Sequence, residues 1–210
     1  MLKNKSLAFP YLIWMTVFIA VPLLIVVYFA FTTKSGAFTL ENITALGDYT
    51  TVFVRSLLLA AIATVICLVL AFPVGYWLSR LPVSSQRMMQ MLVILPMWMN
   101  FLLRTYAWMS LLENNGIINR ILGFFGIGPF QMIYTSGAVV LGMVYNFLPY
   151  MILPLYTAMT KIDNSVIEAA QDLGAGMFKT LTKVLIPLSA PGIATGITMV
   201  FVPSVSTFII

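Results

Sequence analysis

Apolar residues in this chain come in runs that approach or exceed about 20 positions, the length a helix needs to cross a hydrocarbon core. The first covers about Phe9 to Phe31, the second Ser56 to Leu78, the third Met88 to Leu112, the fourth Ser136 to Met159, and the fifth Pro191 to Ile210. None shows the ten-residue alternation of a transmembrane barrel strand. The pattern predicts an all-α, polytopic membrane protein built as a single domain over residues 1–210, with about five spans. Pro22 is expected to kink the first span, which bilayer helices tolerate. The third, with Pro96, Asn100 and Arg104, is the least apolar, and the fourth is interrupted by Pro149 and Pro154.

The polar stretches lie between these runs. Residues 32–55 read as a loop and Ser79 to Arg87 as a short basic loop. Ile117 to Phe125 reads as a small amphipathic helix in the interface. The longest polar island, residues 160–190, has helical character. Ser165 and Glu168 have capping-box spacing, and Gly174 falls where a residue just past a helix end belongs. A two-turn helix is predicted over Val166 to Leu173. Its apolar face carries Val166, Ala169, Ala170 and Leu173, and its polar face Glu168, Gln171 and Asp172. A second helix is expected from about Gly176 to Leu185, with Pro187 breaking the chain before the last span. The island is either a plain hairpin closing the bundle or a docking surface; capping and periodicity leave both open.

Composition supports the membrane assignment. The 210 residues are 61% hydrophobic and 8% charged, against about 25% charged in soluble domains, and mean hydropathy is +1.02. The net charge of +5 reads as topology and not as nucleic-acid binding, because the cations are scattered among loops. Lys3, Lys5, Arg80, Arg87, Lys161, Lys179 and Lys183 fall on one side and Lys34, Arg55 and Arg120 on the other. The first side, with the N-terminus and the island, is therefore expected to be cytoplasmic. The chain has no histidine, and its one cysteine, Cys67, lies in an apolar run. Histidine-based catalysis and histidine metal sites are excluded. The acids Glu41, Asp48, Glu113, Asp163, Glu168 and Asp172 all lie away from the centres of the runs, which counts against a proton relay or cation carrier. An integral-membrane enzyme lacks its cluster of catalytic groups.

The series Glu168-Ala169-Ala170, three residues, Gly174, nine residues, then Val184-x-Ile186-Pro187 resembles the EAA loop of ABC-importer permeases. Val184 and Ile186 depart conservatively from that pattern. The resemblance implies a type I importer fold in a bacterial cytoplasmic membrane. It also implies that Glu168, Ala169, Ala170, Asp172, Gly174 and Pro187 couple the chain to a separate ATPase. Segments around Asn100 to Trp108, Asn115 to Asn119, Tyr145 to Tyr156 and Phe201 to Ser204 are similar to the spermidine/putrescine branch, nearest the first of its two permease subunits. The partners so implied are ATPase subunits, a second homologous permease, an extracytoplasmic binding protein and lipid. No cofactor is expected on this chain: it has no Gly-x-x-x-x-Gly-Lys-Ser/Thr loop, and ATP with magnesium belongs to the partner. The family pattern continues with a loop and a final membrane helix beyond the position of Ile210. The chain is therefore read as a fragment or as a truncated protein, and both readings stand.

Substrate-path candidates are Asn100, Arg104, Tyr106, Trp108, Tyr145 and Ser204. An intramembrane arginine is a functional candidate, although a cation is an odd ligand for a polycation. Arg104 either snorkels outward, pairs with a carbonyl or a partner subunit, or meets an anionic solute such as sulfate or an organic acid. Thiamine and iron remain alternative solutes. Trp98, Tyr106, Trp108, Tyr145 and Tyr150 offer ring faces to ammonium groups or serve as packing and interfacial belt residues. Pro203-Ser204 reads either as a broken segment lining a cavity or as a simple kink.

Overall fold

The computed structural model describes residues 9–33 and 36–207. Lys3, Lys5 and Lys34, used above to orient the chain, and the last three positions of the fifth run lie outside the described residues. Eight helices account for most of the described chain. They are α1 (Phe9–Ala30), α2 (Glu41–Ser79), α3 (Val83–Trp98), α4 (Phe101–Leu112), α5 (Ile117–Phe124), α6 (Ser136–Met159), α7 (Asn164–Asp172) and α8 (Met177–Ser206). Among the described residues α1, α2, α6 and α8 are long and apolar enough to cross a membrane. The chain divides into two contact units at residues 55 and 56.

In the first unit, α1 has no buried residue. Two turns in the protein answer a proline in the same way. The turn Thr16–Ala20 widens to a π-turn, and Val21 N–H reaches back five residues to Thr16 O just before Pro22. In α8 the turn Leu181–Leu185 does likewise, with Ile186 N–H donating to Leu181 O before Pro187. Proline has no N–H and its ring crowds the preceding turn. A single π-turn accommodates it without ending the helix. Pro187 therefore does not break the chain as its sequence suggests, and α8 runs unbroken from the island into the last span. The region 32–55 is also more helical than a loop, since α2 begins at Glu41. Asn42 Nδ2 donates to the carbonyls of Phe29, Ala30 and Thr32 at 3.1, 3.4 and 3.3 Å, which satisfies the open end of α1.

In the second unit, α6 packs principally on α8. The core joins Ala63, Cys67 and Ala71 of α2 to Met143, Met151, Ile152, Leu155 and Met159 of α6 and Val200 of α8. Small residues allow this approach. Ser189, Gly192, Gly196, Val200 and Ser204 form the buried stripe of α8. A Cβ on Gly192 would lie 2.5 Å from Ala158 Cβ and 2.8 Å from Pro154 O. Neither Pro149 nor Pro154 interrupts α6, which is continuous from Ser136 to Met159. The third apolar run is the one that breaks. It becomes α3 and α4, and the chain is extended at Met99 and Asn100. Asn100 stabilises the break by capping α4, its Oδ1 accepting from Leu102 N–H and Leu103 N–H at 2.9 and 3.4 Å.

Candidate functional site

The polar island is anchored by one residue and capped by another, and neither is the one its periodicity suggests. Asp163, not Ser165, is the N-cap of α7, and its Oδ1 accepts Ser165 N–H at 3.0 Å. That bond, then the Ser165 hydroxyl, and with them the nearby Arg80 charge, hold the Asp163 carboxyl below its ordinary range. The buried residue of α7 is Ile167. It joins Ile162 and Leu185 in a small cluster against Phe72, Tyr76 and Leu181. The predicted apolar face of Val166, Ala169, Ala170 and Leu173 is therefore not the face that packs inward. Val166 is 42% exposed and Leu173 is 88% exposed, Ala169 is exposed, and only Ala170 is half-buried.

The end of α7 follows expectation. Gly174 has φ of 78°. Its N–H donates to Gln171 O at 2.8 Å and Ala175 N–H donates to Ala170 O at 3.0 Å, the paired bonds of a Schellman cap. Glu168 and Asp172 are exposed on α7. Beside them Leu173, Met177 and Phe178 are between 77% and 88% exposed. Small residues, two acids and bare apolar side chains thus stand together on one short capped helix and the start of α8. Pro187 lies ten residues further along α8, exposed, at the π-turn that joins the island to the span.

The substrate-path candidates fall into three groups. Arg104, Trp108 and Tyr145 come together. Arg104 Nη1 donates to Pro96 O at 2.9 Å, its charge lies 5.9 Å from the Tyr145 ring centroid and 6.0 Å from that of Phe101, and Tyr145 meets Trp108 edge-on at 5.3 Å. Arg104 thus pairs with a carbonyl at the helix break, and the nearby Tyr145 ring is within cation–π range of an internal cation. Asn100 and Tyr106 are exposed, Asn100 as the α4 cap. Ser204 stands apart. It is buried, its hydroxyl donates to Val200 O at 2.6 Å, and α8 is unbroken there, so no cavity opens through a broken segment at Pro203-Ser204. Trp98 is 86% exposed, while Tyr150 lines a groove of about 910 Å3 along α6 and α8.

Sequence reasoning passed over two further polar residues. Arg80, a loop charge in the sequence, reaches the island directly. Asn146, inside an apolar run, is buried with its Oδ1 unpartnered among the described residues. It lines a cavity of about 410 Å3 with Thr105, Trp108 and Tyr134. Its only sequence signal is an amide within a span.

Long apolar helices packed through small residues, with a capped polar helix held at one end, define a polytopic helical membrane protein with an exposed polar segment. The match to known proteins agrees. The pattern of binding-protein-dependent transport system inner membrane components covers residues 68–210, and the chain belongs to that family. It is 37% identical over 205 residues to the spermidine/putrescine transport system permease protein PotB of Escherichia coli strain K12, covering 93% of this chain and 74% of that protein. It is 38% identical to the protein of the same name from Haemophilus influenzae, covering 93% and 72%. The fold matches a subunit in the crystal structure of a bacterial alginate ABC transporter with a TM-score of 0.73 at 17% identity, covering 90% of this chain and 67% of that one.

Proposed function

We propose that this chain is the membrane permease subunit of an ATP-driven importer that carries polyamines of the spermidine/putrescine class. The observation that carries the substrate is the likeness to spermidine/putrescine permeases over 93% of the chain. The engagement of Arg104 with Pro96 O supports the same reading, because this cation is then held at the helix break and not offered to an anionic solute. The N-terminus and the island face the cytoplasm. There α7 docks on a separate ATPase subunit, with Glu168, Ala169, Ala170, Asp172 and Gly174 at the contact and Pro187 at the joint to the span. A second permease completes the pathway, and an extracytoplasmic binding protein delivers the solute. Closure of the ATPase pair displaces α7, and α8, about 45 Å long at 1.5 Å per residue, carries the displacement into the α6–α8 core and alternates access.

Two measurements test this. In cells expressing the whole importer, uptake of labelled spermidine should be competed by putrescine and not by sulfate or thiamine. Competition by anions alone would remove the substrate assignment. Glu168→Lys, or a bulky side chain at Ala170, should abolish uptake and weaken co-purification of the ATPase while the chain still inserts. Normal uptake and assembly in both variants would refute the coupling assignment.

A further inference from the structure

Arg80 sits in the turn after α2, and its guanidinium crosses to the island. Nη1 donates to Ile162 O at 3.2 Å and to Asn164 Oδ1. The charge lies 5.4 Å from the Tyr76 ring centroid, and Tyr76 also packs against the cluster that buries Ile167. Nε and Nη2 are buried with no partner among the described residues. Such a group is retained at a cost, since idle buried donors of a charged side chain are unfavourable.

The turn that carries Arg80 is itself tied down. Gln86 Nε2 donates to Leu81 O at 2.8 Å and to Ser79 O at 3.3 Å, while Gln86 Oε1 accepts from the Tyr156 hydroxyl of α6 at 2.7 Å. The 79–81 turn is thus fixed to α3 through Gln86 and to α6 through Tyr156. Arg80 is the polar link from that fixed point to the start of α7. The remaining anchor of α7 on α2 is apolar, through Ile167, and apolar contacts slide where directed hydrogen bonds do not.

We propose that Arg80 is a positioning residue for energy coupling: it holds the entry to α7 against the α2–α3 turn, so that a push on α7 moves α2, α3 and α6 with it. This rests on the coupling role assigned to α7 above. Arginine suits the task better than lysine because its planar fork fixes direction as well as charge.

The test uses the complete importer in proteoliposomes, with solute transported per ATP hydrolysed as the readout. Arg80→Met, which removes both bonds of Nη1, should lower that ratio at least about tenfold, the scale of a single charge-assisted hydrogen bond. Arg80→Lys should recover part of it. Asn164→Ala, which leaves Arg80 and its bond to Ile162 O in place, should lower the ratio less than Arg80→Met. A wild-type ratio in Arg80→Met overturns the proposal. If Arg80→Met does not assemble, Asn164→Ala decides: a lowered ratio supports the strut, and a wild-type ratio overturns it. A Glu168→Lys variant run alongside separates the two ideas. If it transports normally, the coupling role of α7 fails; if it is uncoupled while Arg80→Met is not, only the strut fails.

Discussion

Replacing Gly174 separates the backbone requirement of α7 from the requirements of whatever docks on it. Its φ of 78° lies where a Cβ is disfavoured, yet a Cβ built there meets nothing within 4 Å. Within this chain the cost of Gly174→Ala is therefore conformational only, roughly 1–2 kcal/mol. Asparagine adopts the left-handed region more readily and should cost less; valine, branched at Cβ, should cost more. A free helix needs about 12–15 residues to be even marginally stable, and α7 has nine, so its cap is a large part of what holds it. A loss of 1–2 kcal/mol changes the capped population by about 5–30-fold. Hydrogen exchange of the Gly174 and Ala175 amides, the two donors of the cap, should accelerate by that factor in Gly174→Ala. Both exchange and uptake should rank Gly, Asn, Ala, Val from best to worst. If Asn and Ala abolish uptake equally while exchange stays at the wild-type rate, the left-handed backbone is not what the position supplies, and the reasoning fails.

Two other expectations rest on single geometric facts. Gly192→Ala drives a methyl into Ala158 Cβ and the backbone carbonyl of Pro154, whereas Gly196→Ala meets Met151 Sδ, the far end of a flexible side chain. The first should cost about 1–3 kcal/mol by overpacking and the second less, read as thermal unfolding in detergent; the reverse order would refute the packing argument. Asp163 is held below its ordinary value of 3.8 by Ser165 and Arg80. The ionised carboxylate therefore stabilises α7 above that value, and the contribution is lost as pH falls through the lowered one. Amide protection of α7 should weaken below about pH 4 in the wild type, and Asp163→Asn should show no such transition.

The class of the protein was legible because it depends on counts and runs. Four of the five runs coincide with long helices, and the Ser136 to Met159 run does so residue for residue. Gly174 was legible because a Schellman cap is a local device with a local signature. The spacing from Glu168 to Pro187 was legible as a resemblance, since a linear pattern survives whatever the chain packs against. What misled were features whose meaning depends on neighbours. Pro187 looks like a stop, but a π-turn and packing on α6 carry the helix past it. The run from Met88 to Leu112 looks continuous, but an asparagine cap and an arginine on Pro96 O stabilise a break.

Taken alone, the sequence determined that this is a helical membrane protein with a capped polar helix between its last spans, because hydrophobic length and local capping are properties of the chain itself. Only the tertiary structure decided which face of α7 is buried, that Ile167 and not Val166 anchors it, and that Arg80 ties it to α2. The two sides of so short a helix differ little in periodicity. Partners brought together across more than 80 residues, as Arg80 and Asn164 are, leave no spacing to read.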